Sequence, residues 1–135
     1  MKANELMIGD WVKFTSKYGY GTGLVVGIEP REGSAEPTTF TIWKKDKEGN
    51  TKFFVGVSKN CVEPIPLTPK FLEKNGFKDS DFFGELLYKD WQIISDCHHL
   101  AARCGEGWNF DIPCKFVHEL QHALRLCGIE KEITI

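Results

Sequence analysis

Over residues 1–65, short runs rich in Val, Ile, Thr and aromatic side chains alternate with turn-forming residues, which is the pattern of a meander of strands. The runs are "DWVKF" (Asp10 to Phe14), "GLVVGI" (Gly23 to Ile28), "TFTIWKK" (Thr39 to Lys45), "KFFVGV" (Lys52 to Val57) and "CVEPI" (Cys61 to Ile65). Phe40 and Ile42 in one run, and Phe53 and Val55 in the next, alternate with more exposable neighbours, and "DKEGN" between them reads as a Gly-containing hairpin loop. Five short strands at this spacing predict a small SH3-like β-barrel. The glycines of "GYGTG" (Gly19 to Gly23) invite comparison with a phosphate loop, but the segment leads into a strand, whereas phosphate loops open a helix; it reads as a flexible β-turn.

At "PLTPKFLEKNGF" the signals change to helix. Thr68 can cap, Pro69 suits the first helical position, Gly76 can end the helix in a left-handed conformation, and Phe71, Leu72 and Phe77 are its buried contacts. Residues 82–110 predict a β-meander built from "ELLYKD", "WQIISD", "HHLAAR" and "GWNFDI", separated at Lys89-Asp90, Asp96-Cys97 and Gly105-Gly107. A long last helix is expected from Asp111 or Ile112, with Pro113 in its first turn and Gly128 after its end, followed by "EKEITI" as a terminal strand. The fold expected is therefore α+β: an SH3-like β-barrel lobe over residues 1–67, then an α+β lobe over residues 68–135, a small antiparallel sheet packed by the last helix, together forming one compact unit.

Composition narrows the function more than the fold. With 135 residues, 41% hydrophobic and 27% charged, the chain has the make-up of a soluble globular domain able to bury a core. The N-terminus lacks the apolar run of a signal peptide, and no stretch of some 20 apolar residues occurs, so the expected location is the cytoplasm, with no membrane partner. The cysteines (Cys61, Cys97, Cys104, Cys114, Cys127) are odd in number and form no C-x-x-C pair, so they read as reduced, mostly buried thiols. The net charge of −2 gives no broad footprint for nucleic acid, which is not an expected partner.

His118-Glu119-Leu120-Gln121-His122 matches the zinc-protease pattern H-E-x-x-H. On a helix, Phe116, Val117, Leu120, Ala123, Leu124 and Cys127 gather on one side as the core face. His118, Gln121, His122 and Arg125 lie opposite, where they can be either a metal site or the solvent-facing stripe of an amphipathic helix. A catalytic zinc needs a third ligand. Arg125 and Gly128 occupy the positions of the glycine and histidine of the extended motif, His98 and His99 have no recognised spacing, and Cys114 lies about 12 Å from His122 along a helix axis. No metal is favoured, no cofactor is implied, and the balance leans away from an enzyme.

Cys97-His98-His99 with Cys104 is a weaker ligand cluster, since neighbours on a strand point to opposite faces. Asp79, Asp81, Asp96 and Asp111 suggest no acid–base pair. Trp11, Phe14, Trp43 and Phe54 serve either as an aromatic groove or, better, as barrel core; Lys44, Lys45 and Lys47 read as a solvated hairpin tip.

The segments "NELMIGDWV" (Asn4 to Val12), "EPIPLTPKFLEKNGF" (Glu63 to Phe77) and "FVHELQHALRLCGIEKEI" (Phe116 to Ile133) resemble a family of short uncharacterised gut Bacteroidales proteins, often prophage or mobile-element associated. The resemblance implies that Glu119 and His122 are replaceable while Leu120 and Leu124 are packing positions; it implies no activity, substrate or cofactor. The leading expectation is a non-catalytic interaction or adaptor protein with a protein partner. It would bind through Tyr18, Tyr20, Lys45 and Lys47 of the barrel loops, or through His118, Gln121, His122 and Arg125 of the last helix. The alternatives are a metal-dependent hydrolase with His118 and His122 as ligands and Glu119 as base, and a nucleic-acid-binding accessory protein.

Overall fold

The computed structural model describes residues 5–30, 37–79, 86–88, 93–104, 108–126, 128 and 132–135. It is α+β and divides into two compact units, Met1–Ile65 and Pro66–Ile135. Cys127, residues 129–131, Lys89-Asp90 and Gly105-Gly107 lie outside the described residues, as does the side chain of Cys104.

The first unit is an antiparallel sheet of β1 (Trp11–Ser16), β2 (Gly19–Pro30), β3 (Pro37–Lys45), β4 (Thr51–Ser58) and β5 (Val62–Glu63), in the order β4-β3-β2-β1-β5. A 3-10 turn, Lys59–Cys61, joins β4 to β5 and is capped by the Ser58 hydroxyl, which accepts from the Asn60 N–H. Period-2 alternation sends Val12, Phe14, Val25 and Ile42 to one face, where they are buried with Phe40, Phe54 and Val57. Before β1, the fully buried Asp10 closes a turn by accepting the Met7 N–H on Oδ2 at 2.7 Å, while its carbonyl accepts from Val25 N.

Two sequence expectations change here. "GYGTG" is not a turn: Gly19 to Gly23 lie within β2, paired to β1 from Ser16↔Gly19 to Val12↔Gly23, and the turn is Lys17-Tyr18. Glycine is needed at Gly23 for close approach, because a Cβ there would stand 2.5 Å from Ile42 Cγ2 and 2.7 Å from the Trp43 carbonyl oxygen. The facing of β4 is also displaced from the expected alternation. Phe40 pairs with Val57 and Ile42 with Phe54, so β4 carries one extra residue, a bulge at Val55–Gly56, where Gly56 has φ +73°. Phe54 and Val57 therefore both face the core, whereas Phe53 and Val55 are 62% and 68% exposed.

The second unit carries the sheet β10-β9-β8-β7-β6, made of β6 (Lys78–Asp79), β7 (Leu86–Tyr88), β8 (Ile93–Ser95), β9 (His99–Cys104) and β10 (Trp108–Pro113), all paired antiparallel. Helix α1 (Pro69–Lys74) starts where Thr68 Oγ1 accepts the Phe71 N–H and Pro69 takes the first position. It ends in a left-handed Gly76, φ +92°, with Gly76 N donating to Glu73 O and Phe77 N to Leu72 O. Leu72 and Phe77 are buried at that terminus.

Helix α2 (Val117–Leu126) begins later than the sequence suggests. Pro113 ends β10 opposite His99 instead of opening the helix, and the ladder continues as Cys114 N donates to His98 O. The terminal strand is not formed where it is described: residues 132–135 are irregular, and Thr134 is held by the Asn75 side chain. No helix among the described residues is long and apolar enough to cross a membrane.

Candidate functional site

In the second unit, the residues of the His-Glu-Leu-Gln-His motif are packed in a way that serves the fold. Val117, Leu120, Ala123 and Leu124 are buried as the period requires, but His118 and Gln121, expected on a solvent-facing stripe, are only 3% and 8% exposed. The His118 ring stacks on Phe116 at 6.0 Å between centroids and meets the His122 ring edge-on at 5.8 Å. Of the expected polar surface, His122 is half-buried and Arg125 alone is exposed. Burial of His118 and Gln121 narrows the polar stripe that the period alone predicts.

Glu119 is engaged with the backbone at the start of the helix. Its Oε1 accepts the backbone N–H groups of Lys115 and Phe116, each at 3.1 Å, so it caps the start of α2 from the third helical position. This is the backward half of a capping box.

Asp96, Cys97 and His98 form the β8–β9 turn, and His99 opens β9. Asp96 Oδ1 accepts from His98 N at 2.8 Å and His99 N at 2.7 Å, and Cys97 takes φ +69° while its N–H donates to Ser95 Oγ. Partial burial on its own would raise the Asp96 carboxyl; the two N–H donors and the charge of the neighbouring imidazoles outweigh it and hold the group below the usual carboxylate range. Burial and the adjacent Asp96 push the Cys97 thiol up. Burial, with smaller contributions from the Glu119 carboxylate and from Cys97, pushes Cys114 up to about 12. Both shifts favour the protonated thiol at neutral pH. Among the described residues, no three His, Cys, Asp or Glu side chains come together in a metal-binding group. Asp81 and the side chains of Asp79 and Asp111 lie outside the described residues.

The first unit offers a different kind of site. Where the β1–β2 turn meets the β3–β4 hairpin, a depression of about 410 Å³ is lined by Tyr18, Gly19, Tyr20, Lys44, Asp46, Lys47, Lys52 and Phe54. A second, of about 490 Å³, is lined by Tyr18, Lys52, Phe53, Phe54 and Val55, so Tyr18, Lys52 and Phe54 border both. Tyr18 and Tyr20 are 78% and 76% exposed, which makes four large exposed side chains with Phe53 and Val55 around one surface.

Each residue reaches this surface for a local reason. The two-residue turn lifts Tyr18, with Lys17 Nζ 5.0 Å from its ring centroid. The bulge at Val55–Gly56 turns Phe53 and Val55 outward. Cross-strand pairing sets Lys44 directly opposite Lys52. Lys44 Nζ reaches over Gly21 to the Tyr20 carbonyl at 2.6 Å, a path that a Cβ on Gly21 would obstruct at 2.7 Å. The carboxylate at the site, Asp46, has Oδ1 committed to the N–H groups of Glu48 and Asn50, which shape the hairpin turn. Among the described residues, Lys44, Lys47 and Lys52 form no ion pair with a carboxylate.

Of the residues singled out from sequence, Tyr18, Tyr20 and Lys47 meet here. Lys45, paired with Thr51, does not line the depressions. Lys44, expected in a solvated hairpin tip, and Phe54, expected as groove or barrel core, also line it, whereas Lys52, Phe53 and Val55 carry no binding expectation from the sequence. Phe14 and Phe54 are core, with ring centroids 4.8 Å apart, whereas the half-buried Trp11 and Trp43 belong to the other face, in the cross-strand row Trp11–Leu24–Trp43–Phe53. Comparison of the chain with protein-family models, curated proteins and solved structures returns no match.

Proposed function

We propose that this chain is a non-catalytic interaction protein whose N-terminal unit, an SH3-like barrel, captures its partner on the surface formed by Tyr18, Tyr20, Phe53 and Val55. The fold reading is supported by the meander order β4-β3-β2-β1-β5 and by the 3-10 turn that precedes β5. The functional reading is carried by one observation: four large aromatic or aliphatic side chains, each more than half exposed, surround two adjoining depressions. Exposed apolar groups scattered singly are ordinary; a contiguous set with a concave floor and a polar rim is the make-up of a binding patch.

The hydrolase alternative gains nothing from the geometry, since Glu119 is committed to the helix start and His118 is buried against Phe116. The process served, on the resemblance noted above, is that of a mobile element, acting in the cytoplasm.

The test is selection of ligands from random peptide and random oligonucleotide pools, followed by mapping of the best binder on backbone amide shifts. A binder that moves the amides of residues 17–22 and 44–55, and that Tyr18→Ser with Phe53→Ser abolishes, supports the reading. Binders that map elsewhere and ignore this double substitution overturn it.

A further inference from the structure

Resting on this interaction-surface reading, we infer that the occupant is single-stranded nucleic acid, held by stacking of bases on Tyr18, Tyr20 and Phe53 and by phosphate contacts to Lys44, Lys47 and Lys52. The cross-strand pair Lys44↔Lys52 is the starting point. Like charges directly opposite each other destabilise a sheet. Here they line a depression with a third lysine, Lys47, beside them. Asp46, the carboxylate lining that depression, is engaged by backbone N–H groups. Among the described lining residues three lysines stand against this one carboxylate, and an anion placed there balances the excess positive charge.

Three features choose among anionic partners. Among the described residues, the cations lining the two depressions are all lysines, which suit phosphate as point charges, whereas carboxylate recognition favours the bidentate guanidinium fork. Tyr18, Tyr20 and Phe53 present ring surface to solvent, and every base has a π-face to match it, which gives sequence-tolerant binding. In a duplex those base faces are hidden in the stack, so protruding rings select the single strand.

The chain-wide charge of −2 is no obstacle. At physiological ionic strength a charge is felt over roughly 8 Å, so a phosphate at this surface responds to the three lysines and Asp46 beside it and much less to acidic residues farther away.

The experiment is fluorescence anisotropy of the full chain with labelled oligothymidine and oligouridine of about 12 nucleotides, a duplex of the same length, and an acidic oligoglutamate peptide, at about 50 mM salt. The expected result is binding of single strands in preference to duplex and peptide. Phe53→Ser or Tyr18→Ser should weaken it about 5- to 150-fold each. Lys47→Gln and Lys52→Gln should each lower the slope of log affinity against log salt by about 0.7. All four positions are surface-lining, and melting curves check that the variants fold. Oligoglutamate binding better than the single strands, and lost in Phe53→Ser, overturns the nucleic-acid assignment but leaves the interaction surface standing. Absence of single-strand binding, with selected ligands mapping elsewhere, overturns both.

Discussion

The carboxamide of Asn75 and the backbone of Thr134, 59 residues apart in sequence, exchange two hydrogen bonds: Asn75 Nδ2 donates to the Thr134 carbonyl at 2.9 Å, and the Thr134 N–H donates to Asn75 Oδ1 at 2.8 Å. A side-chain amide here does what a neighbouring strand would do for that residue, satisfying both of its backbone groups at once. The same Nδ2 donates to Phe71 O at 3.0 Å, so one buried side chain ties the end of α1 to the C-terminal segment that also buries Ile133.

Asn75→Ala removes all of these bonds from a position 2% exposed, and should lower the unfolding free energy by roughly 1–3 kcal/mol. Asn75→Asp should cost at least as much near neutral pH, because it replaces the donor facing two carbonyl oxygens by a negative oxygen. Urea denaturation gives the loss, and hydrogen exchange at the Thr134 amide should accelerate in both variants.

Glu119 separates a capping role from a catalytic one. Glu119→Ala leaves the Lys115 and Phe116 N–H groups without their carboxylate, and should cost about 0.5–2 kcal/mol. Glu119→Gln keeps an acceptor oxygen in the same place and should recover most of that loss, measured by the same urea titration. A loss in Gln equal to that in Ala would show that the charge, not the acceptor, supports the helix start.

These two residues also mark what the sequence could and could not show. Helix α1 was legible because each of its signals is local: Thr68, Pro69, Gly76 and the Leu72–Phe77 contact lie within ten residues. The antiparallel meander was legible for a similar reason, as turns and runs alternate. The start of α2 was not, because Pro113 suits a strand end as well as a helix start, and the cap that decides the matter reaches back from Glu119. Burial of His118 and Gln121 depends on what packs over the helix, which a periodicity cannot reveal. The aromatic–lysine surface was half legible. Tyr18, Tyr20 and Lys47 could be picked out one by one, but the Lys44↔Lys52 pairing and the outward turn of Phe53 depend on cross-strand register and on a one-residue bulge. The adjacent Phe53 and Phe54 gave no clue to which faces inward; Gly56 was the available sign of a bulge.

Two glycines should therefore respond differently to alanine. Gly56 has φ +73° and no atom within 4 Å of an added Cβ, so Gly56→Ala should cost only the left-handed backbone penalty, about 1–2 kcal/mol. At Gly23 the added Cβ would meet the Trp43 carbonyl oxygen at 2.7 Å, and a backbone atom in a paired strand cannot step aside. Gly23→Ala should be the more damaging substitution in thermal melts, and the reverse order would contradict the β2–β3 register.

Cys114 gives a prediction in pH. Its thiol is fully buried, and burial, followed by Glu119 and Cys97, raises it from an ordinary 9.0 to about 12 in the folded chain. Between those values the unfolded chain has lost the proton and the folded chain retains it, so the unfolded state binds fewer protons and stability falls as pH rises. The contribution is fully present below pH 9.0 and disappears as pH approaches about 12, with a slope of roughly 1.4 kcal/mol per pH unit from this one group. Cys114→Ala should show a shallower alkaline decline than the parent in urea titrations across that window, at the cost of a small cavity at every pH. In the same range a thiol reagent should label the exposed Cys61 quickly and Cys114 only at the rate of unfolding. Rapid labelling of Cys114 at pH 8, or parallel alkaline slopes for parent and variant, would place that thiol in contact with water and remove it from the core of the second unit.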